Sequence, residues 1–498
     1  MSAGKLPEEW GYTEIGNVAD VISGGTPKSG VAENFAPSGE GIAWLTPADL
    51  SGYKNKHISR GARDLSKSGY DSCSAKIMPM GSILFSSRAP IGYVAVASNA
   101  IATNQGFKSF VFTPDIYPDY AYYYMRSIKH LAEEMGTGTT FKEISGSSAK
   151  NLPFLIAPFE EQKIIAEKLD TLLAQVDSTK TRLEKIPKIL KRFRQAVLAS
   201  ASRGILTEDF VNLDLEYYSS IDDEIQAHPK LKKIPYPIGD EISFTEDIFG
   251  LDIGRKRKLY ALEQLVEAER GVPYGIVQTG EPVSHGVQTI RCGDIKPLSV
   301  TLSSLKTVSH DIEKKYKKTR LKGGEVILAI RGSVGNSAYI DKKIGSMSLN
   351  ISREVAMIPV RESISAKFIS LLIQSPCGYR FLVEKTRGVA QQGINLADIR
   401  RLVVPLPTQQ EQHEIVRRVE QLFAYADTIE KQVNTSLARV NNLTQSILAK
   451  AFRGELTTQW REENPDLISG ENSAAVLLEK IKAERAASAG KKASRKKA

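Results

Sequence analysis

Two short segments of this chain place an arginine among small residues and end in a glycine. They are residues 86–92, which contain Arg88, and residues 329–335, which contain Arg331. A guanidinium in such a loop can bind a guanine edge through two hydrogen bonds or clamp a phosphate. It can also hold a turn together through backbone carbonyls, which is a purely structural role. Because the unit recurs in both segments, phosphate anchoring or framework support is favoured over base reading.

Further polar residues stand in predicted loops of the same two regions. Asn and Gln suit adenine edges, whereas Arg and Lys suit guanine, so the set has the chemistry needed to read a DNA groove. Each residue alone is an ordinary turn residue, and the prediction depends on the set as a whole. The predicted DNA-binding residues are Thr26, Lys28, Arg88, Asn104, Gln105, Lys108, Thr139, Lys142, Arg291, Arg331, Asn350, Arg353, Gln391 and Gln392.

Motifs for catalysis on nucleic acid are missing from the sequence. It has no G-x-x-x-x-G-K-[ST] phosphate loop and no Asn-Pro-Pro-aromatic element for base methylation. The three cysteines form no C-x-x-C pair, and the six histidines are isolated from one another. We therefore expect no disulfide framework, no metal site, no catalytic residues and no cofactor bound by this chain.

The overall composition favours a polyanionic partner. A formal net charge of +10 lets clustered Lys and Arg release counterions from phosphate, although part of the excess lies in a C-terminal tail predicted to be disordered. The 498 residues are enough for two or three domains, each with its own core. No apolar run approaches the length of a membrane span, and the predicted location is the cytoplasm.

One segment of the sequence occurs twice, and its two copies are among the elements that must position the polar loops. Residues 158–210 recur at a constant shift of 250 residues, so that Glu161 and Gln162 return as Glu411 and Gln412. Apolar residues in each copy follow alternating three- and four-residue steps, which predicts a long coiled-coil helix. The predicted seams are Ile165, Leu169, Leu172, Val176, Leu183, Ile186, Leu190, Phe193 and Val197, then Ile415, Val419, Leu422, Ala426, Ile429, Val433, Val440, Leu443 and Ile447.

The ends of these helices are also marked. Thr408 and Glu411 have the spacing of a capping box, and Gly204 and Gly454 each follow an arginine, as left-handed C-terminal caps do. Pro187 lies inside the first helix, where we expect a kink or break.

The two remaining segments have a mixed α/β pattern. Short apolar runs bounded by Gly, Pro, Ser and Asn predict strands and turns in both, with a tyrosine-rich helix packed on the first sheet. Gly81 and Gly92 of the first segment reappear as Gly324 and Gly335 at a shift of 243, so the second is a diverged copy of the first. We predict the first globule at residues 1–157, a helical spacer at 158–210, a connector at 211–254, the second globule at 255–405, a second spacer at 406–460, and a partly disordered tail at 461–498.

Two variable globules alternating with two repeated helices resemble the specificity subunit of type I DNA restriction-modification systems. Each helix is entered by a proline, Pro158 or Pro407, followed by Glu-Gln. The opening Leu6-Pro7-Glu8-Glu9-Trp10 and residues 41–50 also look like the starts of that family's target recognition domains. Residues 162–195 and 414–460 look particularly like the enteric type IA group, and the resemblance covers nearly the whole chain.

The resemblance implies DNA recognition without catalysis. Each globule would read one half of a bipartite site on double-stranded DNA. The two helices, paired antiparallel with a pseudo-twofold between the repeats, would set the spacing and dock two methyltransferase (M) subunits. Restriction (R) subunits would join the larger complex, and S-adenosylmethionine, ATP and Mg would bind to these partners. The predicted partner-binding residues are Glu161, Gln162, Glu411 and Gln412.

Two other classes of function stay open from the residues alone. One is a nuclease or other DNA-acting enzyme whose active site is concealed among scattered carboxylates, and metal-dependent cleavage by the pure chain would favour it. The other is a coiled-coil adaptor that binds proteins and not DNA. Partner assembly without a DNA footprint would favour the adaptor.

Overall fold

Two long helices cover the repeated stretches. In the computed structural model the first long helix is Phe159–Ser202, with 44 residues, and the second long helix is Gln409–Ala451, with 43 residues. The structure describes residues 6–88, 90–138, 142–210, 214–250, 257–281, 283–384 and 393–495, with side chains described up to residue 487. The prediction of two long helices is confirmed.

The chain divides into two compact units, each built from parts that are distant in sequence. Unit 1 is Met1–Glu184 together with Thr435–Ala498, and unit 2 is Lys185–Asn434. Unit 1 therefore contains the start of the first long helix and the end of the second. Unit 2 contains the end of the first long helix and the start of the second.

The helix ends follow most of the signals in the sequence, but only half of the predicted capping box forms, because the Glu411 carboxylate accepts from Thr207 and Arg257 instead. The backbone N–H of Glu411 donates to Thr408 Oγ1 at 3.3 Å. Gly204 and Gly454 have φ angles of 76° and 77°, the left-handed conformation that a glycine cap requires. The first long helix continues through Pro187, so the predicted break does not occur.

Most residues of the predicted seams are buried, but not all. The prediction that Leu443 is a buried seam residue was wrong, since its side chain is 44% exposed. In the first long helix Leu173 is buried, whereas the predicted seam residue Leu172 is only partly buried. A straight helix drifts by about 20° per heptad relative to a strict seven-residue repeat, so the inward positions move along the surface. The buried seam residues include Ile165, Leu169, Val176, Leu190, Val197, Ile415, Val419, Ala426, Val433 and Val440.

Replacing Gly454 with alanine is expected to lower the free energy of unfolding by about 2–4 kcal/mol, because a left-handed residue is strained and the new methyl group overpacks its surroundings. An ideal Cβ at Gly454 would lie 2.4 Å from Pro7 Cγ. Gly470 is the matched control, since its φ is 58° and no atom lies within 4 Å of its Cβ position. We expect Gly470→Ala to cost about 1–2 kcal/mol. Equal losses in chemical denaturation would contradict the packing contribution.

The first globule contains a mixed, mostly antiparallel sheet. Among the described residues its strand order is Ala19–Ser23, Lys108–Phe112, Ile83–Phe85, Val94–Ala97 and His57–Ile58, the last pair being parallel. Three strand pairs stand beside it: Gly11–Glu14 with Pro153–Ile156, Phe35–Pro37 with Arg63–Leu65, and Trp44–Leu45 parallel with Ala102–Thr103. The short helices are Ile15–Val18, Lys67–Asp71, Pro118–Ser127, Lys129–Glu134 and Gly146–Lys150, with 3-10 turns at Ala32–Asn34 and Pro47–Leu50.

The tyrosine-rich helix Pro118–Ser127 contributes to the main core of unit 1. Residues 120–124 are all buried. The ring of Tyr124 lies edge-on to Phe154 and Phe452, with centroids 4.9 and 5.1 Å away. Burial of these rings agrees with the packing role predicted for them and excludes stacking on nucleic-acid bases.

The second globule repeats the mixed architecture with different pieces. It contains two three-stranded sheets. The strand order of one is Lys306–Val308, Val287–Ile290 and Asn350–Ile351. The strand order of the other is Ser337–Tyr339, Glu325–Ala329 and Val355–Pro359. Two pairs, Lys258–Ala261 with Val403–Leu406 and Ile295–Lys296 with Ser299–Val300, complete the strands that the structure describes. The helices are His310–Glu313, Lys342–Gly345, Ala366–Gln374, Pro376–Glu384 and Leu396–Arg400, with 3-10 turns at Leu262–Leu265, Cys292–Asp294 and Lys314–Thr319.

The stretch 211–254, predicted as a weakly periodic connector, differs from that expectation. It contains the helices Leu215–Ala227 and Asp240–Phe249, with 3-10 turns at Ile205–Thr207 before them and Leu231–Lys233 in between. Their apolar faces lie in the main core of unit 2. The acidic composition of the stretch did not indicate this packing, because the acidic residues lie mainly on the exposed faces and only one face of each helix is buried. The buried residues include Tyr218, Ile221, Ile225, Ile248 and Phe249.

The tail is also more ordered than the sequence predicts. It has helices at Thr458–Glu463 and Ala474–Arg495, with 3-10 turns at Pro465–Leu467 and Gly470–Asn472. The end of the predicted disordered segment, residues 496–498, lies outside the described residues. The contacts that hold the tail to the first globule include Ala474 N to Glu9 O at 3.2 Å, Lys480 Nζ to Asp115 Oδ1 at 2.8 Å, and Arg485 Nη2 to Asp20 Oδ1 at 2.8 Å.

Candidate nucleic-acid interface

In the first globule, two short parallel strands end side by side. They are Trp44–Leu45 and Ala102–Thr103. Because the carboxyl ends of parallel strands meet at one edge, Thr46 and Asn104 are neighbours there. The backbone N–H of Asn104 donates to Leu45 O at 2.8 Å, which fixes this junction.

A tight turn after Asn104 gathers the other loops of this edge. Asn104 Oδ1 accepts from Gly106 N at 2.9 Å, and the backbone N–H of Gln105 donates to Thr26 Oγ1 at 3.3 Å. Ser87 N donates to Gly106 O at 2.7 Å, which brings the neighbouring Arg88 to the same edge. Thr26, Thr46, Arg88, Asn104 and Gln105 therefore form one group, named here the first loop cluster.

Arg88 projects from this cluster and is held on one side. Its side chain is 45% exposed, and its Nε donates to Glu143 Oε2 at 2.8 Å. Among the described residues, neither Nη atom of Arg88 has a hydrogen-bond partner. The other carboxylate oxygen of Glu143 accepts from Lys108 Nζ at 3.4 Å. The guanidinium is thus anchored through Nε with its outer end open.

The second globule builds the same edge. Strand Val287–Ile290 runs parallel to Asn350–Ile351, and Ser352 N donates to Ile290 O at 2.9 Å, so Arg291 and Arg353 lie at one end. Ile330 N donates to Glu354 O at 2.9 Å, and this bond brings Arg331 beside them. Arg291, Arg331 and Arg353 form the second loop cluster.

Backbone hydrogen bonds match the two clusters position by position. The Arg88 turn closes with Gly92 N to Ser86 O at 3.0 Å, and the Arg331 turn closes with Gly335 N to Ala329 O at 3.1 Å. Both glycines have a φ of 91°. The 3-10 turns also agree, since Thr46 N donates to Asp49 Oδ2 at 2.7 Å and Arg291 N donates to Asp294 Oδ2 at 2.9 Å. The matched pairs are Thr46 with Arg291, Arg88 with Arg331, Gln105 with Arg353, and Glu143 with Gly393.

The two clusters therefore share a framework and differ in charge. Arg291 is paired with Asp294 at 3.2 Å, whereas Arg331 and Arg353 are exposed and form no ion pair with the residues that the structure describes.

Burial, followed by the hydrogen bond that Cys292 Sγ donates to Glu354, raises the pKa of the Cys292 thiol. This thiol stays neutral, which suits packing and not nucleophilic chemistry.

Two predicted DNA-binding residues are corrected by their burial. Asn350 is fully buried, where its side chain donates to Glu313 Oε1 at 3.2 Å and accepts from Thr319 Oγ1 at 2.7 Å. Lys108 is 9% exposed, and its ammonium faces Glu143. Both side chains are buried against polar groups of their own globule, so neither is available to a base edge.

The remaining predicted residues divide by position. Lys28 and Lys142 are exposed near the first loop cluster. Thr139, Gln391 and Gln392 lie outside the described residues. The sequence prediction missed Thr46 and Glu143. The Thr-x-x-Asp spacing of Thr46 and Asp49, repeated as Arg291 and Asp294, was the signal for the first, and nothing local marks the second.

The predicted partner-binding residues are also corrected. Gln162 and Gln412 are fully buried, and their amide oxygens each accept a backbone N–H, from Tyr117 and Ser365 respectively, at 2.8 Å. Each side-chain amide also donates to the carbonyl five residues before it at 2.9 Å. These glutamines fasten the helix starts to the globules and offer nothing to another protein.

The glutamates at the helix starts are internal as well. Glu161 is fully buried, and its carboxylate accepts from Trp10 Nε1 at 2.8 Å, from Thr457 Oγ1 at 2.7 Å and from Arg461 Nη1 at 2.7 Å. In unit 2, Glu411 accepts from Thr207 Oγ1 at 2.8 Å and from Arg257 Nη2 at 2.5 Å. Each unit thus uses one glutamate to join the start of one long helix to the residues that follow the other.

Metal-binding groups and membrane-spanning helices are both absent from the part of the chain that the structure describes. No group of three or more His, Cys, Asp or Glu side chains there could hold a metal ion. Within the same residues, no helix is long and apolar enough to cross a membrane.

Comparisons with known proteins agree on one family. A family model described as "Type I restriction modification DNA specificity domain" matches residues 7–188 and 286–439. The chain is 48% identical to the type I restriction enzyme EcoBI specificity subunit of Escherichia coli, over 72% of this chain and 70% of that protein. It is 38% identical to the EcoKI specificity subunit of Escherichia coli K12 over the full length of both.

A solved structure shares the fold. The HsdS subunit from Thermoanaerobacter tengcongensis aligns with 91% of this chain and 99% of its own, with a TM-score of 0.53. The two sequences are 16% identical over the alignment, so the likeness concerns the fold alone.

Proposed function

The chain belongs to the specificity subunits of type I restriction-modification systems, of the enteric type IA kind, and from this premise we propose that each of its globules reads one half of a bipartite DNA site. The observation that carries the proposal is the pair of matched loop clusters. They occupy the same framework position and present different side chains, which is the arrangement needed for two readers of different short sequences. The proposed domains are a first globule at residues 1–157, a helical spacer at 158–210, a second globule at 255–405 and a second spacer at 406–460, with the helices of residues 215–249 packed in the core of unit 2.

The proposed readers are members of the two loop clusters, whose side chains are exposed or partly exposed. In the first globule they are Thr26, Arg88, Asn104 and Gln105, with Thr46 added by its match to Arg291. In the second they are Arg291 and Arg353, and Arg331 is a further DNA contact of the same cluster. Lys28 and Lys142 are proposed as phosphate contacts, because a lysine at the margin of a base-reading edge gains mostly from counterion release.

The two long helices are proposed to pair antiparallel and to set the distance between the half-sites, with a pseudo-twofold between the repeats. Contacts inside each unit support the pairing. Lys168 donates to Leu456 O in unit 1 at 2.8 Å, and Arg418 donates to Leu206 O in unit 2 at 2.8 Å, so a helix start meets a helix end both times. At about 1.5 Å per residue, such a helix is about 60 Å long and exceeds one DNA turn of about 34 Å.

The same helices are proposed to dock two M subunits, with R subunits joining the larger complex. Because Glu161, Gln162 and Gln412 are buried and Glu411 is bound to Thr207 and Arg257, docking must use other positions. Ile189, Tyr425 and Leu443 are 58%, 64% and 44% exposed, and these large apolar side chains on the long helices are proposed as docking positions. S-adenosylmethionine, ATP and Mg are proposed to bind to those partners and not to this chain.

Selection of DNA by the full-length chain tests this function. We expect the purified chain to enrich, from a randomised duplex library, two short sequences separated by a fixed spacer. Replacing Gln105 and Arg353 together with alanine should weaken the preference in both halves by about tenfold, because each lost base contact is worth about 1–3 kcal/mol. The control is Glu40→Ala with Glu362→Ala, two exposed positions outside both loop clusters. Enrichment of no sequence, or cleavage of the library by the chain, would overturn the proposal.

A further inference from the structure

The matched arginines differ in how their guanidinium groups are held. Arg88 Nε donates to Glu143 at 2.8 Å. The residue that matches Glu143 in the second globule is Gly393, which forms the equivalent backbone bridge to Arg331 and has no side chain. Arg331 makes no side-chain hydrogen bond or ion pair with the described residues. One arginine is therefore oriented by a carboxylate and the other is not.

The backbone around Glu143 places its carboxylate before any ligand binds. Glu143 N donates to Thr137 O at 2.9 Å, and Thr137 N donates to Glu143 O at 3.0 Å. Ile144 N then donates to Ser87 O at 3.0 Å, which ties this strand to the one that carries Arg88. Both partners of the ion pair thus stand on paired backbone segments, and the direction of the guanidinium is set by the fold.

An arginine held through Nε keeps its outer fork free. The guanidinium is planar, so a bond to Nε fixes the plane in which the two Nη groups point outward as parallel donors. Guanine presents two acceptors, O6 and N7, that such a fork fits in the major groove. The neighbouring carboxylate also repels phosphate oxygens, which disfavours a backbone contact at this position.

We propose that Arg88 reads a guanine in the half-site of the first globule, that Glu143 is its positioning residue, and that Arg331 binds phosphate without base selectivity. The inference rests on the proposed function, because it assigns chemistry to the two readers. It also separates two arginines that the sequence alone treats as equivalent. Arg331 must lose its rotamer freedom on binding, so a contact with looser geometry suits it better.

Selection from the randomised duplex library by three full-length variants tests the assignment. Arg88→Gln and Glu143→Ala should each reduce the preference for guanine at one position of the first half-site by about tenfold. The second half-site should keep its sequence in both variants. Arg331→Gln should instead weaken binding to all sequences about equally and lower the slope of log affinity against log salt by about one.

Lys108→Met is the matched control, because it removes the other partner of Glu143 and leaves the pair with Arg88 in place. The guanine preference should survive in this variant. If Glu143→Ala misfolds with Lys108 left unpaired, the double variant Lys108→Met with Glu143→Ala removes both charges and should show the same loss of preference. Uniform weakening by Arg88→Gln, or a first half-site without guanine, would overturn the inference. A wild-type chain that selects no bipartite sequence would overturn the proposed function itself.

Discussion

Glu161→Ala is expected to lower the free energy of unfolding by about 3–5 kcal/mol, because it leaves a nearly buried arginine without its counter-charge. The lost carboxylate is the common acceptor of Trp10, Thr457 and Arg461. The side chain of Arg461 is 14% exposed, so water cannot replace the lost acceptor. Thermal and urea unfolding of the full chain, followed by circular dichroism, measure the loss.

The adjacent Glu160 supplies the control. Its side chain is 46% exposed and pairs with Lys163 on the helix surface, a kind of contact worth about 0–1 kcal/mol. Glu160→Ala should therefore leave the unfolding midpoint nearly unchanged. The account of the helix start would be contradicted if the two substitutions destabilised the chain to the same extent.

How far the sequence predicts this structure depends on the range of the interactions. The long helices, their glycine caps and the capping contact of Thr408 follow from patterns within a few turns of helix, and all were predicted. The helices at Leu215–Ala227 and Asp240–Phe249 carried a local signal too, since Tyr218, Ile221 and Ile225 recur at helical spacing. An acidic and proline-punctuated composition outweighed that signal in the prediction.

The loop clusters and the helix starts depend on partners that are distant in sequence. The bond between Ser87 and Gly106 assembles the first loop cluster, and no local pattern predicts it. Glu161 was predicted as a partner contact from the family resemblance, and a glutamate at a helix start is usually exposed. Its burial follows from an indole and a guanidinium supplied by residues 10 and 461.

Exchange of the first globule is the second prediction with a large expected effect. Residues 1–157 would be replaced by the corresponding globule of a related specificity subunit, one that keeps tryptophan at position 10 and carboxylates at positions 20 and 115. Those groups hold the start of the first long helix and the tail in unit 1. The first half of the recognised sequence should change completely, because the first loop cluster is exchanged as a whole.

The second half and the spacer should stay the same in this chimaera. The second loop cluster lies wholly within the second globule, and the exchange leaves both long helices intact. The matched control is a chimaera in which only residues 255–405 are exchanged. It should change the second half and preserve the first.

Mapping of methylated adenines in the genomes of cells that carry the wild-type chain or either chimaera, each with its methyltransferase subunits, tests the central claim most directly. The account predicts a bipartite methylated sequence in which each chimaera changes one half and keeps the other half and the spacer length. A chimaera that alters both halves, or that leaves the methylated sequence unchanged, would contradict the claim that each globule reads its own half-site.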